Sequence, residues 1–465
     1  SPDSDVAVAS GGTLDLAGYD QTLLSLANSG IVSLAGSRAG TTLTVAGDYA
    51  GTGGIVVLAA ALGPDGSPAD RLVVEGDVSG TTRLSIVNLG GNGALTTGSG
   101  IEVVDIAGLS PSDAFTLGRT IAGAYDYRLF QGGVGAEAGD GDWYLRSDLS
   151  MAAQTYRAYP ATLLAYSATS VGTLMQRTGG WNLGAATTTI PGGAFIRGAG
   201  LAAHASPDAG SPYSQDIAFA QTGIAAELPV AVPGLLTAGV TATFGRSRAT
   251  VDGATHGEAG SGDISSGAYG FGGTLTWWGN DGAYADAVGQ LTYFDTDIST
   301  GDAGKLAGGT SAYGTALSLE VGKAFEAAPT WRIVPQAQLV YASVGLDDFA
   351  DADGTAISAG GNGSLIGRTG VRVENSGFLD ALAYDAMRYN DYVVGNLYYS
   401  FLGDSSITVG NTSLTEAGSD LVAELGIGGA LGIGGRANLY GEASYASAFG
   451  GGDAWSGSFG LRVQW

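Results

Sequence analysis

"SDLSMAAQTYRAYPATLLAYSATSVGTLMQRTGG", Ser147 to Gly180, stands apart from everything around it. Strands show as apolar alternation of period two, and this stretch has none. It is rich in Ala and Leu, offers Ser147 or Asp148 as an N-cap and stops at Gly179-Gly180, as a helix C-terminus does. Pro160 predicts a bend inside it. Ala152, Thr155, Ala158, Ala161, Thr162, Ala165, Ser167, Ala168, Thr169 and Ser170 spread small and hydroxylated side chains almost all the way round. A helix without a strong apolar stripe is not held by an ordinary core and needs a close surround of mixed polarity. Which part of the chain supplies that surround decides the fold.

Downstream, twelve strands are predicted: 193–203, 215–228, 235–249, 264–278, 282–297, 311–325, 330–346, 361–374, 390–409, 419–431, 435–449 and 455–465. Their connections mostly alternate between short turns, such as Gly279 to Asp281, and long polar loops, such as Thr250 to Asp263 and Asp347 to Gly360. Asn375 to Tyr389 is long where a short turn is due, and Gly450 to Ala454 is the reverse. Short turns at one end and long loops at the other mark an outer-membrane barrel.

Within the strands, Leu317, Leu319 and Val321 oppose Ser318 and Glu320, and Ala337, Leu339 and Tyr341 oppose Gln336 and Gln338. Val371 and Val373 oppose Arg368 and Arg372, while Phe459, Leu461, Val463 and Trp465 oppose Arg462 and Gln464. In a soluble sandwich the charged face looks outward, in a membrane barrel it looks into the lumen, and the alternation itself does not say which. Aromatic placement favours the barrel: Trp277, Trp278, Tyr284, Phe325, Trp331 and Trp465 lie at short-turn ends, and Tyr293, Phe294, Tyr341, Phe401, Phe449 and Trp455 at long-loop ends, as two interfacial belts would. Twelve strands tilted by about 40° enclose a cylinder about 24 Å across. Less its inward side chains, that leaves close to the roughly 10 to 12 Å of one helix. The unpartnered helix therefore has a place in the lumen.

Upstream, "TTLTVAGDYAG", "GIVVLAA", "RLVVEGDVSG" and "IEVVDIAG" are apolar alternations between turn residues, recurring loosely about every twenty residues. Each is too short to bury its own face, so stacked solenoid coils are expected, ahead of a β-sandwich. The last coil of a solenoid leaves an open edge. The hairpin in "AYDYRLFQGGVGAEAGDGDWYLRS" suits that duty, with Tyr125, Tyr127 and Leu129 on one face of its first strand and Trp143, Tyr144 and Leu145 in the second. An ordinary terminal hairpin would use the same residues.

Composition agrees and excludes. With 81 Gly among 465 residues and no collagen-like period, turns and close strand approach are implied. A net charge of -25 argues against nucleic acid, whose phosphates would be repelled. Cys is absent, and the longest apolar run, Ile55 to Leu62, is far short of the roughly 20 residues of a spanning helix. No secretory leader is legible at Ser1-Pro2-Asp3, and "SPDSDVAVAS" reads as mid-solenoid, so more of the solenoid is expected upstream.

The whole arrangement resembles the type Va autotransporters, in which a passenger, a linker helix and an outer-membrane translocator barrel form one polypeptide. "YDYRLFQGG…GDWYLRS" resembles the passenger's autochaperone junction. "VPQAQLVYASV" and "GEASYASAFGGGDAWSGSFGLRVQW" resemble late barrel strands. The resemblance implies an all-β chain, a right-handed parallel β-helix fragment followed by a helix-plugged twelve-stranded antiparallel transmembrane barrel. It divides the chain into passenger (1–149), linker helix (150–180) and barrel (181–465). It implies an autochaperone cap at Tyr125, Tyr127, Leu129, Trp143, Tyr144 and Leu145, and a barrel-assembly signal at Phe459, Leu461, Val463 and Trp465. The implied partners are outer-membrane lipid and lipopolysaccharide, the barrel-assembly machinery and periplasmic chaperones, with the protein a monomer in the outer membrane and residues 1–149 at the cell surface. Relatives that release their passenger commonly cut at an Asn in the linker helix; Ser150 to Gly180 has none, so the passenger is expected to stay tethered.

Catalytic patterns are few. His204 and His256 are the two histidines; His204 with Asp208, or His256 with Asp347 and Asp348, would be needed for the rival reading, a barrel-mouth protease. No H-E-x-x-H, G-x-S-x-G or P-loop occurs. "DDFADADG", Asp347 to Gly354, is similar to a calcium loop but lacks its bidentate Glu. Neither a cofactor nor a metal is expected. Glu320, Glu424 and Glu442, with Arg197, Arg368, Arg372, Arg462, Gln336 and Gln338, are read as charge pairing around the helix.

Overall fold

The structure is a computed structural model and describes residues 3–179, 192–230, 232–379, 387–418, 420–433 and 437–464. Its first third is a parallel β-solenoid. One sheet stacks Gln21–Leu23, Thr42–Val45, Arg71–Val74 and Ile101–Ile106 in parallel. In register this places Leu43 on Leu72 on Val104, all fully buried. A second sheet stacks Leu14, Val32, Val56, Leu84 and Leu117 in a like ladder. The coils lengthen along the chain, from Gln21 over Leu43 to Leu72 over Val104, which is why the recurrence reads as loose. Corner amides are satisfied by carboxylates: buried Asp70 accepts from Gly40 N and Thr41 N (both 2.9 Å) and from Ala59 N (2.7 Å).

The predicted hairpin ends the stack. Tyr125–Gln131 and Trp143–Leu149 pair antiparallel, and the second strand also lies antiparallel on Ile101–Ile106, so the parallel series terminates. Leu145 and Tyr127 are fully buried.

Twelve antiparallel strands follow: β1 (Gly193–Ala205), β2 (Tyr213–Glu227), β3 (Leu235–Thr255), β4 (Glu258–Trp278), β5 (Ala283–Thr300), β6 (Gly304–Lys323), β7 (Trp331–Leu346), β8 (Asn362–Leu379), β9 (Met387–Leu402), β10 (Leu421–Ile433), β11 (Ala437–Ala448) and β12 (Gly452–Gln464). Each pairs with its neighbour, and β1 pairs with β12 from Gly193–Gln464 to Ala205–Gly452, which closes the barrel. The alternation resolves inside out: Glu320 is 0% and Arg372 2% exposed, while Leu317 and Leu319 are 53% and 54% exposed. A barrel that hides its charges and shows its leucines is built for lipid.

Three expectations change. β3 and β4 continue to Thr255 and Glu258, and β5 and β6 to Thr300 and Gly304, where polar loops are predicted. Pairing with the partner strand satisfies their backbone groups, so the polar residues stay in hairpins. Near Asp347 to Gly360 and Gly410 to Gly418, four short strands form a separate outer sheet: Phe349–Ala350, Ala356–Ser358, Ser405–Val409 and Thr412–Glu416. Tyr284 and Phe294 leave the predicted belts, because both side chains turn inward and are buried. Trp331, Phe325, Phe401, Phe449 and Trp455 remain exposed on the outer surface, and Trp465 lies outside the described residues.

Candidate functional site

The helix α1 (Met151–Val171) is capped by Ser150, whose hydroxyl accepts from Ala153 N, and it runs through Pro160 unbroken. The interruption comes instead at Gly172, after which α2 (Leu174–Thr178) restarts on a capping box of Thr173 and Gln176. Gly172 has φ 59°, and a Cβ there would meet the Arg197 guanidinium, so only glycine fits. Among the described residues no helix is long and apolar enough to cross a membrane, and α1 does not face lipid; it is sheathed by the barrel.

The barrel wall holds this helix from end to end. At the long-loop end Gln154 Nε2 donates to Ala254 O (2.9 Å), and Arg157 Nε donates to Thr415 O (2.6 Å). Midway, Tyr166 lies edge-on to Phe294 (5.4 Å between centroids), and Gln290 Nε2 donates to Ser170 Oγ (2.7 Å). Around the break, charged groups act as caps. Arg197 Nη2 donates to Ser170 O (2.8 Å), and Gln338 Nε2 donates to Gly172 O (3.1 Å). Glu320 Oε2 accepts from Leu174 N (2.9 Å). Cation at the end of one helix and anion at the start of the next match both macrodipoles. Lower still, Arg177 is ion-paired with Asp286, Tyr440 donates its hydroxyl proton to Arg177 O (2.6 Å), and Gln176 Nε2 donates to Glu442 Oε1 (2.7 Å).

The predicted lumen residues thus divide by task. Arg197, Glu320, Gln338 and Glu442 touch the helix pair directly. Arg368 lies 3.4 Å from Glu320 Oε1 and donates to Gln338 Oε1 (2.9 Å), behind that grip. Arg372 donates to Glu374 Oε2 (3.2 Å) and to Gln336 Oε1 (3.4 Å). Glu424 accepts from Asn396, Tyr398 and Ser444, and Arg462 lies on β12 with its side chain half-buried. Asp286, Glu374 and Arg177 escaped sequence reading. Asp286 and Glu374 carry the period-two signal, but Arg177 sits in a helix tail with no partner visible in one dimension.

The helix does not fill the lumen, contrary to the size argument. It lies against β2 to β8, and a cavity of about 500 Å³ opens on its other side, lined among others by Ala165, Gly172, His204, Gln338, Glu424 and Ser444. A circular cross-section estimate cannot foresee an off-centre seat.

Each predicted cap residue has a definite place. The Tyr127 hydroxyl donates to Gly63 O and Ala94 O (each 2.9 Å) and accepts from Ala94 N (3.0 Å), tying three turns of chain. Trp143 packs edge-on to Phe115 (5.5 Å) and donates its Nε1–H to Ser110 Oγ (3.1 Å). Tyr144 donates to Asp140 Oδ2 (2.9 Å), and Leu129 pairs across the hairpin with Leu145. Tyr125 packs against the solenoid core and also against the cluster beneath it in the barrel. Phe459, Leu461 and Val463 face outward on β12.

Neither rival catalytic pairing forms among the described hydrogen bonds. His204 Nδ1 meets Ser214 Oγ (3.3 Å), and His256 turns to Asp126 and Asp148 rather than to Asp347 or Asp348. In the calcium-like stretch, Asp351 Oδ1 accepts from Asp353 N (3.0 Å) and Thr355 N (2.8 Å), an internal turn. Glu102, Asp105 and Asp142 stand close enough to share a cation, but Glu102 is paired with Arg71 (3.1 Å) and Asp142 accepts from Ile106 N (2.6 Å).

A closed lipid-facing barrel, gripped helix and capped solenoid define an outer-membrane protein that carries its own extracellular segment. The family model described as the autotransporter beta-domain matches residues 194–444, just over half of the chain, and the chain belongs to that family. A second, described as autochaperone domain type 1, matches residues 22–129, ending in the first strand of the cap hairpin. The adhesin BmaC autotransporter of Brucella suis biovar 1 (strain 1330) is 34% identical over 485 residues, covering 94% of this chain and 14% of the relative. The autotransporter adhesin AIDA-I of Escherichia coli is 41% identical over 112 residues, 24% of this chain and 8% of that one. The crystal structure of the AIDA-I transport unit superposes with a TM-score of 0.51 at 13% identity, covering 67% of this chain and 99% of that one. The chain thus spans only about a seventh of the Brucella relative. It is an autotransporter barrel with an autochaperone domain, in the bacterial outer membrane and its lipid, with a surface-exposed passenger.

Proposed function

We propose that the chain moves its own passenger across the outer membrane and that the capped solenoid starts the passenger's folding outside. The observation that carries this reading is the threaded helix. α1 and α2 descend the lumen from the solenoid at the long-loop end to Arg177 and Tyr440, near the short-turn end where β1 begins. A chain so connected has its passenger on one side and its barrel start on the other. A folded solenoid is wider than the lumen, so the passenger crosses extended, and the cavity beside the helix offers room for a chain in that state.

In this reading residues 1–149 are passenger, 150–180 linker and 181–465 translocator, and the unit has no catalysis of its own. Tyr125, Tyr127, Leu129, Trp143, Tyr144 and Leu145 form the autochaperone edge, because together they bury the last coil and leave an upward-facing stack for earlier coils. Phe459, Leu461, Val463 and Trp465 are the sequence read by the barrel-assembly machinery, with periplasmic chaperones and lipopolysaccharide as further partners of a monomeric barrel. The Brucella and Escherichia coli relatives are named adhesins, so adhesion is the activity proposed for the complete passenger.

Protease shaving of intact cells tests the core of this. Residues 1–149 should be digested or released from whole cells, and lost from the surface when residues 456–465 are deleted. Digestion only after the outer membrane is permeabilised would overturn the reading.

A further inference from the structure

Around the base of the solenoid, the barrel presents a set of groups that the translocation reading leaves unused. Arg119, just before the cap hairpin, makes a two-pronged bond to Asp353, Nη1 to Oδ1 at 2.7 Å and Nη2 to Oδ2 at 2.8 Å, with Asp302 Oδ2 3.8 Å from its Nε. Those two aspartates come from different barrel connections, between β7 and β8 and between β5 and β6. On the opposite strand edge Arg128 Nη1 reaches Glu258 Oε2 at 2.5 Å, at the start of β4. Beside it, the β3–β4 turn holds His256 at φ 52° and Gly257 at φ 77°. A non-glycine residue in that region is uncommon and persists where neighbours hold it. Here the His256 amide donates to Asp148 Oδ2 (2.7 Å), its Nε2 donates to Asp126 O (2.9 Å), and its ring lies 5.6 Å from Phe130. Between these polar points Gly123 and Gly410 meet backbone to backbone: a Cβ on Gly410 would stand 3.0 Å from Gly123 Cα.

We propose that these outer hairpins are a receptor for the chain's own cap, so that the barrel supplies the lower half of the template on which the passenger starts to fold. This rests on the reading of the cap as the folding nucleus. A single exposed ion pair is worth little. A forked Arg–carboxylate bond is demanding in geometry, and a cap tethered a few residues from its seat meets it at an effective concentration in the millimolar range. Several weak, simultaneous contacts then select one orientation of the hairpin. Three separate barrel connections contribute, and the sites they engage, Arg119, Arg128 and Asp126/Asp148, straddle the first cap strand.

The test is a pulse-labelled time course on intact cells producing the full chain, reading when residues 1–149 become protease-resistant, with heat-modifiable migration as the check that the barrel has assembled. Asp353→Arg and, independently, Arg119→Asp should each delay resistance about three- to five-fold, the worth of one well-formed exposed ion pair. The double swap should restore the original rate. Tyr127→Ala should delay resistance in every background, since it acts within the cap. If Tyr127→Ala delays resistance while both charge reversals leave it unchanged, the receptor is wrong and the cap reading stands. If the swap does not rescue, the receptor is also wrong. If Tyr127→Ala has no effect either, the cap reading itself falls.

Discussion

Solenoid and barrel are written in the same period-two alphabet and folded to opposite rules. In the solenoid, Leu43, Leu72 and Val104 stack in a dry interior and the alternate residues meet water. In the barrel, Leu317, Leu319 and Val321 face outward, and Glu320, Gln338 and Arg368 are buried around a helix. Alternation therefore encodes a two-faced strand and nothing about which face is inside. The solvent each face meets supplies the rest.

The sharpest break in that comparison comes from the polar interior. Asp286→Ala strands Arg177 in the lumen and should cost about 3–5 kcal/mol, read as a lowered urea midpoint of the refolded barrel in lipid vesicles. Removing both partners should cost less than removing one. The apolar interior gives the matching cut: Leu72→Ala should cost about 2–5 kcal/mol and expose residues 1–149 to protease while barrel migration is unchanged. On the lipid face, Leu319→Arg should lose about 2–4 kcal/mol if that position lies near the bilayer midplane, measured by the same vesicle unfolding. A neutral outcome there would mean that β6 does not face lipid.

A pH experiment sharpens the boundary between the regions. Glu416, in the outer sheet, is pushed up to about 7 by burial, opposed by Arg157 with its Nε 3.5 Å away. A carboxyl raised in the fold binds its proton more tightly folded than unfolded. Its favourable contribution is full below the ordinary carboxylate range and is lost as pH rises from about 4.5 to about 7. The outer sheet should therefore be clipped faster at pH 8 than at pH 5.5, a difference on the order of 2 kcal/mol after screening. Glu416→Gln should remove the dependence. Smallest of all, the fragment should run on a denaturing gel as one tethered chain. A break near residue 165 would show that a linker without Asn can still be cut.

The barrel was legible because its signals are local: eleven of its twelve predicted strands end within about six residues of the observed ones at both ends, and β6 starts earlier, at Gly304. The inward turn of Tyr284 and Phe294 was not legible, because an aromatic at a strand end fits a membrane belt and a lumen wall alike. Pro160 advertised a bend, yet the helix breaks at Gly172, where Arg197 occupies the space that any side chain would need. The grip of Arg197 and Glu320 on the helix ends joins residues far apart in sequence, and the Arg119–Asp353 fork spans 234 positions.

By itself, the sequence determined that a helix of mixed polarity separates short stacked strands from long paired ones, because backbone period and capping are properties of neighbours along the chain. Tertiary structure alone decided which strand face is buried, where the helix breaks, that it sits off-centre beside a cavity, and how the cap meets the barrel. Those outcomes depend on which distant groups share a low-dielectric space, and one-dimensional order carries no record of that.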